Sequence, residues 1–310
     1  MNTRTCQVAM IVIFLVLLFP VTLGNPPFPP ALTKVFTTTE AGSFLAYAVD
    51  PDSIIHWNRG LSPEIEFAIL PPYTDLPAFG TWDETYQTIQ VDAVKEAQPD
   101  LVIHYAKVNP QNTALVAEIE ETLGIPTILV DNRLQALPDA LRLLGDLLGK
   151  EVRGQALATF VENELAQMAD FQRLQAGYAP IPVHIVSSFA AGHFDELLSL
   201  AGMVEMPTWD SNPPLPDFVL IMPHTIADPY KAIEKEGHKR IYQIPTFPAN
   251  WLDPGSIFSL MGLEWLHSIA YPSYEADLAA TYRALMEVFF QLNITPELLQ
   301  WTLRRSGISY

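Results

Sequence analysis

Leu137 to about Leu174 is a long stretch of this chain without a strand-like run. Leu141, Leu144, Leu148, Val152, Phe160, Leu165 and Met168 recur there at helical spacing. Gly145, Gly149 and Gly154 weaken the pattern locally, so the spacing predicts one long helix or two nearly collinear ones. Such a spine divides the chain, and the two sides have to fold around it.

Both sides alternate short strands with helices. Before the spine, "TKVFTTTE" (33–40) is β-branched and leads into "AGSFLAYAV", and "SIIHW" (53–57) reads as a short strand. "TIQVDAVKEA" (88–97) is helical, and "LVIHY" (101–105) is a strand apolar enough to be buried on both faces. "NTALVAEIEETLG" (112–124) is a helix with Leu115, Ile119 and Leu123 at four-residue spacing and a terminal Gly, followed by the strand "PTILVD" (126–131). After the spine come strand 182–189, helix 194–202, strand 217–224, helix 229–237 and strand 240–247. Helices over 256–272 and 274–292 close the chain. Strand–helix–strand order implies parallel sheets, hence an α/β protein of two lobes. The chain has 27 prolines, and they fall mostly between the apolar runs, as loop punctuation.

The first 24 residues differ from the rest. Arg4 precedes the unbroken apolar run Val8–Phe19, then Pro20 and Val21-Thr22-Leu23-Gly24. This reads as a secretory signal peptide cut at Gly24–Asn25, too short for a comfortable membrane span. The mature chain is expected to be exported to a bacterial periplasm, with no membrane anchor after cleavage. Cleavage removes Cys6, the only cysteine, and with it any disulfide or thiolate metal site. The formal net charge is −18, and loss of Arg4 makes it one unit more negative. Nucleic acid and anionic membrane are poor partners for that surface, whereas cations and neutral or chelated ligands are easier.

No Gly-rich phosphate loop, G-x-S-x-G or H-E-x-x-H occurs. "SSFAAGHF" (187–194) holds Ser, Gly and His but no strand–Ser–helix elbow, and no catalysis is expected. The strand ends are more informative, because parallel sheets bind ligands beyond the carboxyl ends of their strands. His104 and Tyr105 end the strand 101–105, "HWNRG" (56–60) closes the one before it, and "PHT" (223–225) ends a strand of the second half. His193 precedes the helix 194–202, and "TFPANWLD" (246–253) follows the last strand. His56, His104, His193 and His224 thus all fall at predicted strand-end loops, two in each half.

Several stretches together resemble the substrate-binding proteins of ABC importers, in the metal-chelate class that handles siderophores, haem and cobalamin. They are "LPAFGTW" (76–82), "AVKEAQPDLVIHY" (93–105), "LGIPTILVD" (123–131), "LPDALRLLGDLLGKE" (137–151) and "FSLMGLEWLHSIAYP" (258–272). The look is most like the branch described as iron-type or molybdate-type binders. The resemblance implies two Rossmann-like lobes with parallel sheets joined by a long helical spine: a lobe over 25–137, the spine over 138–175, and a second lobe with terminal helices over 176–310. It also implies a monomer without intrinsic cofactor that carries a metal chelate, iron being the expected metal, to a permease. On the family's pattern Asp92 aligns with an acidic permease-docking residue. Only "MVEMPTWDSNPP" (203–214) separates the second lobe's first helix from its next strand, so no second docking acid is carried over.

Two site chemistries compete on the residues themselves. In one, Trp57, Trp82, Tyr105, Phe247 and Trp251 offer apolar faces to an organic chelate, while Arg59 pairs with its carboxylate or catecholate charge. In the other, His56, His104, His193 and His224, with Glu40 or Asp253, bind a bare transition metal. Glu40 and Asp253 also suit a helix-start acid and a turn residue. An oxyanion such as molybdate or tungstate would want the hydroxyls of Thr37-Thr38-Thr39 and Ser187-Ser188. A stand-alone periplasmic carrier without a permease is the further alternative.

Overall fold

Val35–Thr37 (β1), Leu101–Ala106 (β2) and Thr127–Asp131 (β3) form a parallel sheet in the order β1-β2-β3. Val35 pairs with Leu101, and His104 with Leu129. The central strand β2 is buried at every position, as its apolar run requires. These elements belong to a computed structural model that describes residues 32–83, 87–175, 177–187, 189, 192–206, 218–222 and 240–305. The predicted signal peptide, helix 229–237 and His224 lie outside the described residues.

Four helices accompany this sheet: Glu40–Val49 (α1), the single turn Pro63–Glu66 (α2), Val91–Ala97 (α3) and Pro110–Leu123 (α4). Helix α4 starts at Asn109, whose side chain accepts the Asn112 N–H, and ends at Gly124 with φ +71°. Its buried side chains include Leu115, Ile119 and Leu123. "SIIHW" is not a strand. Pro51–Ser53 is a 3₁₀ turn, after which Ile54 bridges Val35 once and Trp57 bridges Ala78. The turn angles the segment away from the sheet after one pairing.

The spine is two helices, Leu137–Leu147 (α5) and Glu151–Gln175 (α6). They are not collinear. Helix α5 folds back on α6, so that Arg142 reaches Gln155 at 3.0 Å and Glu162 at 2.7 Å. The reversal falls at Leu148–Lys150, where Gly149 takes φ +65°. Glycine also permits the contact itself. A Cβ on Gly154 would lie 2.6 Å from the Leu141 carbonyl oxygen, and one on Gly145 3.0 Å from the Gly154 Cα. Helical periodicity marks which residues are buried but cannot distinguish a continuous helix from two packed ones. At about 1.5 Å per residue, α6 alone spans roughly 37 Å.

Ile181–Val186 (β4), Met203–Glu205 (β5), Phe218–Ile221 (β6) and Ile241–Gln243 (β7) form the second parallel sheet, ordered β5-β4-β6-β7. Asp195–Leu200 (α7), Ser259–Ala270 (α8), Leu278–Phe290 (α9) and Pro296–Arg305 (α10) accompany it. Strand β5 and helix α10 add to the predicted elements; β5 is too short to show a pattern, whereas α10 has a Thr295 cap, Pro296 in its first turn and Leu299 and Leu303 buried four residues apart. Among the described residues no helix is long and apolar enough to cross a membrane.

One hydrophobic core runs from Val35 to Leu303 through both lobes. Helix α9 carries it across: Phe290 packs on Phe44 and Tyr47 of α1 and stacks on Phe258 at 5.7 Å. A smaller core of Phe36, Trp82, Val94, Val102, Leu115, Ile119 and Leu123 joins the first sheet to α3 and α4.

Glu264 of α8 is buried within the larger core. Burial pushes its carboxyl up to about 7, and the Glu164 and Asp277 charges push the same way. His56 is the converse, lowered by burial to about 4.

Gly154→Ala is expected to lower stability by about 1–3 kcal/mol in denaturant titration, because the methyl would meet backbone that cannot retreat. The folded state holds the Glu264 proton more tightly than the unfolded chain does. Stability from this group is therefore full below pH 4.5 and declines as pH rises to about 7. Glu264→Gln removes that loss and is expected to gain about 3 kcal/mol at pH 8. In that variant the buried His56 and His267, both lowered by burial to about 4, should together set the acid limb, with stability falling as pH drops from 6.5 towards 4; melting curves across pH check both trends.

Candidate functional site

In each parallel sheet the strands all end on the same edge, and those edges carry the polar side chains. In the first sheet β1 runs into Thr38, Thr39 and Glu40. Thr39 caps α1, its Oγ1 accepting the Gly42 N–H at 3.3 Å and donating to the Tyr105 carbonyl at 3.2 Å. A Cβ on Gly42 would lie 3.1 Å from the Tyr105 Cβ, so α1 begins tight against the end of β2. Glu40, the first residue of α1, is thereby held at the rim.

Arg59 grips Glu40 through two bonds, Nε to Oε1 at 3.0 Å and a terminal nitrogen to Oε2 at 2.7 Å. The Arg59 side chain is 70% exposed and that of Glu40 30%. Burial raises the Glu40 carboxyl above its usual range, the Arg59 cation lowers it, and the Asp253 charge adds a smaller upward push. Both carboxylate oxygens are occupied, so Arg59 is engaged with the protein's own acid. The sequence reading, in which it meets a ligand's acid, requires that pair to open first.

The second lobe contributes Phe189 and His193 from the loop after β4, and Asp253 from the loop after β7. Phe189 stacks on His193 with ring centroids 4.3 Å apart and planes 5° from parallel. His193 Nε2 lies 3.6 Å from Asp253 Oδ1. The loop holding Asp253 abuts the first lobe, since a Cβ on Gly255 would lie within 3.2 Å of three Asn132 atoms just after β3. Nearby, Glu196 at the start of α7 accepts the Leu134 N–H at 2.7 Å. Glu40, Arg59, His193 and Asp253 therefore border one interlobe seam. The Tyr105 hydroxyl, Asn132 Oδ1 and His193 Nε2 are buried atoms without a hydrogen-bond partner there. The Tyr105 hydroxyl is pushed well above the ordinary phenol range by burial, and further by Asp131 and Glu196.

The other predicted site residues lie elsewhere. His104 is fully buried, not facing a cleft. Asn112 donates its amide to the Lys107 carbonyl, so its Oδ1 accepts from His104 Nε2 at 3.0 Å. His104 Nδ1 then accepts the Thr38 hydroxyl at 2.7 Å. This imidazole ties β1 and β2 to α4. His56 is also buried, with Nε2 donating to the Thr37 carbonyl at 3.1 Å and its ring stacked on Phe79. Trp57, Trp82 and Trp251 are core residues. Trp57 and Trp251 satisfy their indole N–H groups on the carbonyls of Tyr73 and Phe247. A strand end locates a residue along the chain but not the side to which it turns, and large aromatics turn inward. Among the described residues no three His, Cys, Asp or Glu side chains converge to hold a metal. Asp92 is exposed in the first turn of α3. The seam members not foreseen are Phe189, Asn132 and Glu196; in "SSFAAGHF" the sequence singles out His193 and the two serines but not the phenylalanine between them.

No protein-family model matches the sequence, and no curated protein does. Solved structures do match. An ABC transporter solute binding protein from Sulfurospirillum deleyianum superposes with a TM-score of 0.73 at 22% identity, covering 89% of this chain and 95% of that one. This is the two-lobed solute-binding fold. The molybdate periplasmic binding protein MolA of Haemophilus influenzae shares it at TM-score 0.63 and 14% identity, over 86% of this chain and 95% of that one. So does the periplasmic vitamin B12 binding protein BtuF of Vibrio cholerae, at TM-score 0.58 and 19% identity, over 82% of this chain and 100% of that one. The solute-binding fold agrees with the architecture expected from the spine and the two strand–helix alternations.

His104→Ala is expected to destabilise the chain by about 2 kcal/mol, because it strands buried Thr38 and Asn112. Denaturant titration reads the loss; unchanged stability would mean that the imidazole does not hold the strands to α4.

Proposed function

We propose that this protein is the solute-binding component of an ABC importer, exported to the periplasm, which carries a metal chelate between its lobes and hands it to a permease. The observation that carries the reading is the interlobe seam. The strand ends of two parallel sheets bring Glu40, Arg59, His193 and Asp253 together, with buried polar atoms lacking partners, in a fold shared with solute-binding proteins over most of its length. A seam of this kind binds and releases. Among the described residues it offers no nucleophile hydrogen-bonded to a base, and we read the role as carriage without catalysis. Iron is the metal we assign to the cargo, with the protein acting as a monomer. His56 and His104, enclosed by the core, favour a chelate over a bare ion held by histidines. We assign Asp92 to the permease face, since it is exposed in the first turn of α3.

Native mass spectrometry with elemental analysis, on protein purified from its own periplasm, is expected to show one equivalent of metal chelate. Asp92→Arg is expected to keep that affinity while reducing uptake into vesicles holding the cognate permease, since charge reversal at an interface adds repulsion to the lost pair. Protein that carries no cargo and stimulates no uptake would overturn the reading.

A further inference from the structure

We propose that the interlobe seam selects a positively charged solute, a cationic metal complex, and that Arg59 is a built-in substitute for that charge, released from Glu40 when cargo enters. The proposal rests on the solute-binding reading and narrows it to a charge class.

Three observations carry it. First, the arginines at the first lobe's rim are already neutralised. Arg59 is bidentate on Glu40, and Arg133 grips both oxygens of Asp131 at the end of β3. An anion would have to take one of these cations from its acid and leave a carboxylate facing it. Lys107, the other cation at this edge, is exposed to solvent. Secondly, the second lobe faces the seam with Asp253 and Glu196 and, among the described residues, with His193 as its one basic group there. Thirdly, the pairs differ in what they lose on opening. Glu40 is mostly covered and needs a counter-cation, whereas Arg59 is mostly in solvent and can be hydrated at once. Exchanging Arg59 for a cargo cation keeps Glu40 paired and adds the attraction of Asp253.

The seam also suits a complex better than a bare ion. Phe189 is 40% exposed and lies against His193, offering a ring to a large cation. The Tyr105 hydroxyl, in a residue 1% exposed, is an unspent donor and acceptor at the same strand edge. No convergent ligand set strips an ion of its own shell among the described residues.

The test is isothermal titration of the mature chain with hexaamminecobalt(III), a cationic complex that keeps its ligands, and with molybdate, at about 0.15 M salt to suppress diffuse attraction. The cation is expected to bind saturably at one equivalent. Binding should weaken about tenfold in Asp253→Asn and again in Glu40→Gln, tighten in Arg59→Gln, and stay unchanged in the remote surface variant Glu118→Gln. The melting temperature of Asp253→Asn should match the parent, separating lost charge from lost fold, whereas Arg59→Gln, which strands the covered Glu40 carboxylate, should melt lower and recover when the cation is added. Absent cation binding, or binding indifferent to Asp253 and Glu40, overturns the proposal. Molybdate binding abolished by Arg59→Gln overturns it too, while leaving the solute-binding role standing. That role fails separately, if protein from its own periplasm is empty and silent towards the permease.

Discussion

Arg153 holds the molecule together at one point. Near the start of α6 its guanidinium donates to the Ala48 carbonyl at 3.0 Å, in the last turn of α1, and to the Val288 and Phe289 carbonyls at the end of α9. Those carbonyls are the unpaired, negative ends of two helices, and a half-buried cation satisfies both. Burial lowers the Arg153 pKa from its ordinary value, yet guanidinium stays charged across the biological range. Spine, first lobe and helix α9 thus meet on one side chain, and the glycine contact that lets α5 fold back on α6 lies one residue along, at Gly154.

That joint makes the two lobes mechanically one. Helix α9 belongs by chain order to the second lobe but buries Phe290 against α1 of the first. The core is accordingly continuous, and the seam between the sheet edges is a boundary inside a rigid frame. Motion about it has to be small, because a large opening would expose the apolar contacts of α9. On the proposed reading, cargo would meet the charge and shape already present at the seam, which makes the Arg59–Glu40 pair chemically consequential.

The alternating strands and helices were legible because a buried parallel strand has to be apolar at every position, as in Leu101–Ile103, and an amphipathic helix has to show its period, as in α4. Glu40 and His193 were legible as site candidates because chain order alone places them past the strands β1 and β4, whereas Arg59 was reached through a strand over 53–57 that the structure replaces with a 3₁₀ turn and isolated bridges. His104 and Trp57 occupy equivalent places and proved structural. The difference lies in neighbours distant in sequence: Asn112 and Thr38 enclose His104, and the Tyr73 carbonyl and Phe44 ring enclose Trp57. No local pattern carries that information.

By itself the sequence determined the element types, the parallel sheets, the division about a helical middle, and the acidic balance that disfavours nucleic acid. These follow from local periodicity, composition and chirality, which need no partner to be expressed. The tertiary structure alone decided that α5 turns back on α6, that Arg59 is spent on Glu40, and that Asp253, Phe189 and His193 share a seam. Each depends on the approach of segments far apart in the chain, and such approaches are set by close packing and by the pairing of buried charge, which only the assembled fold brings about.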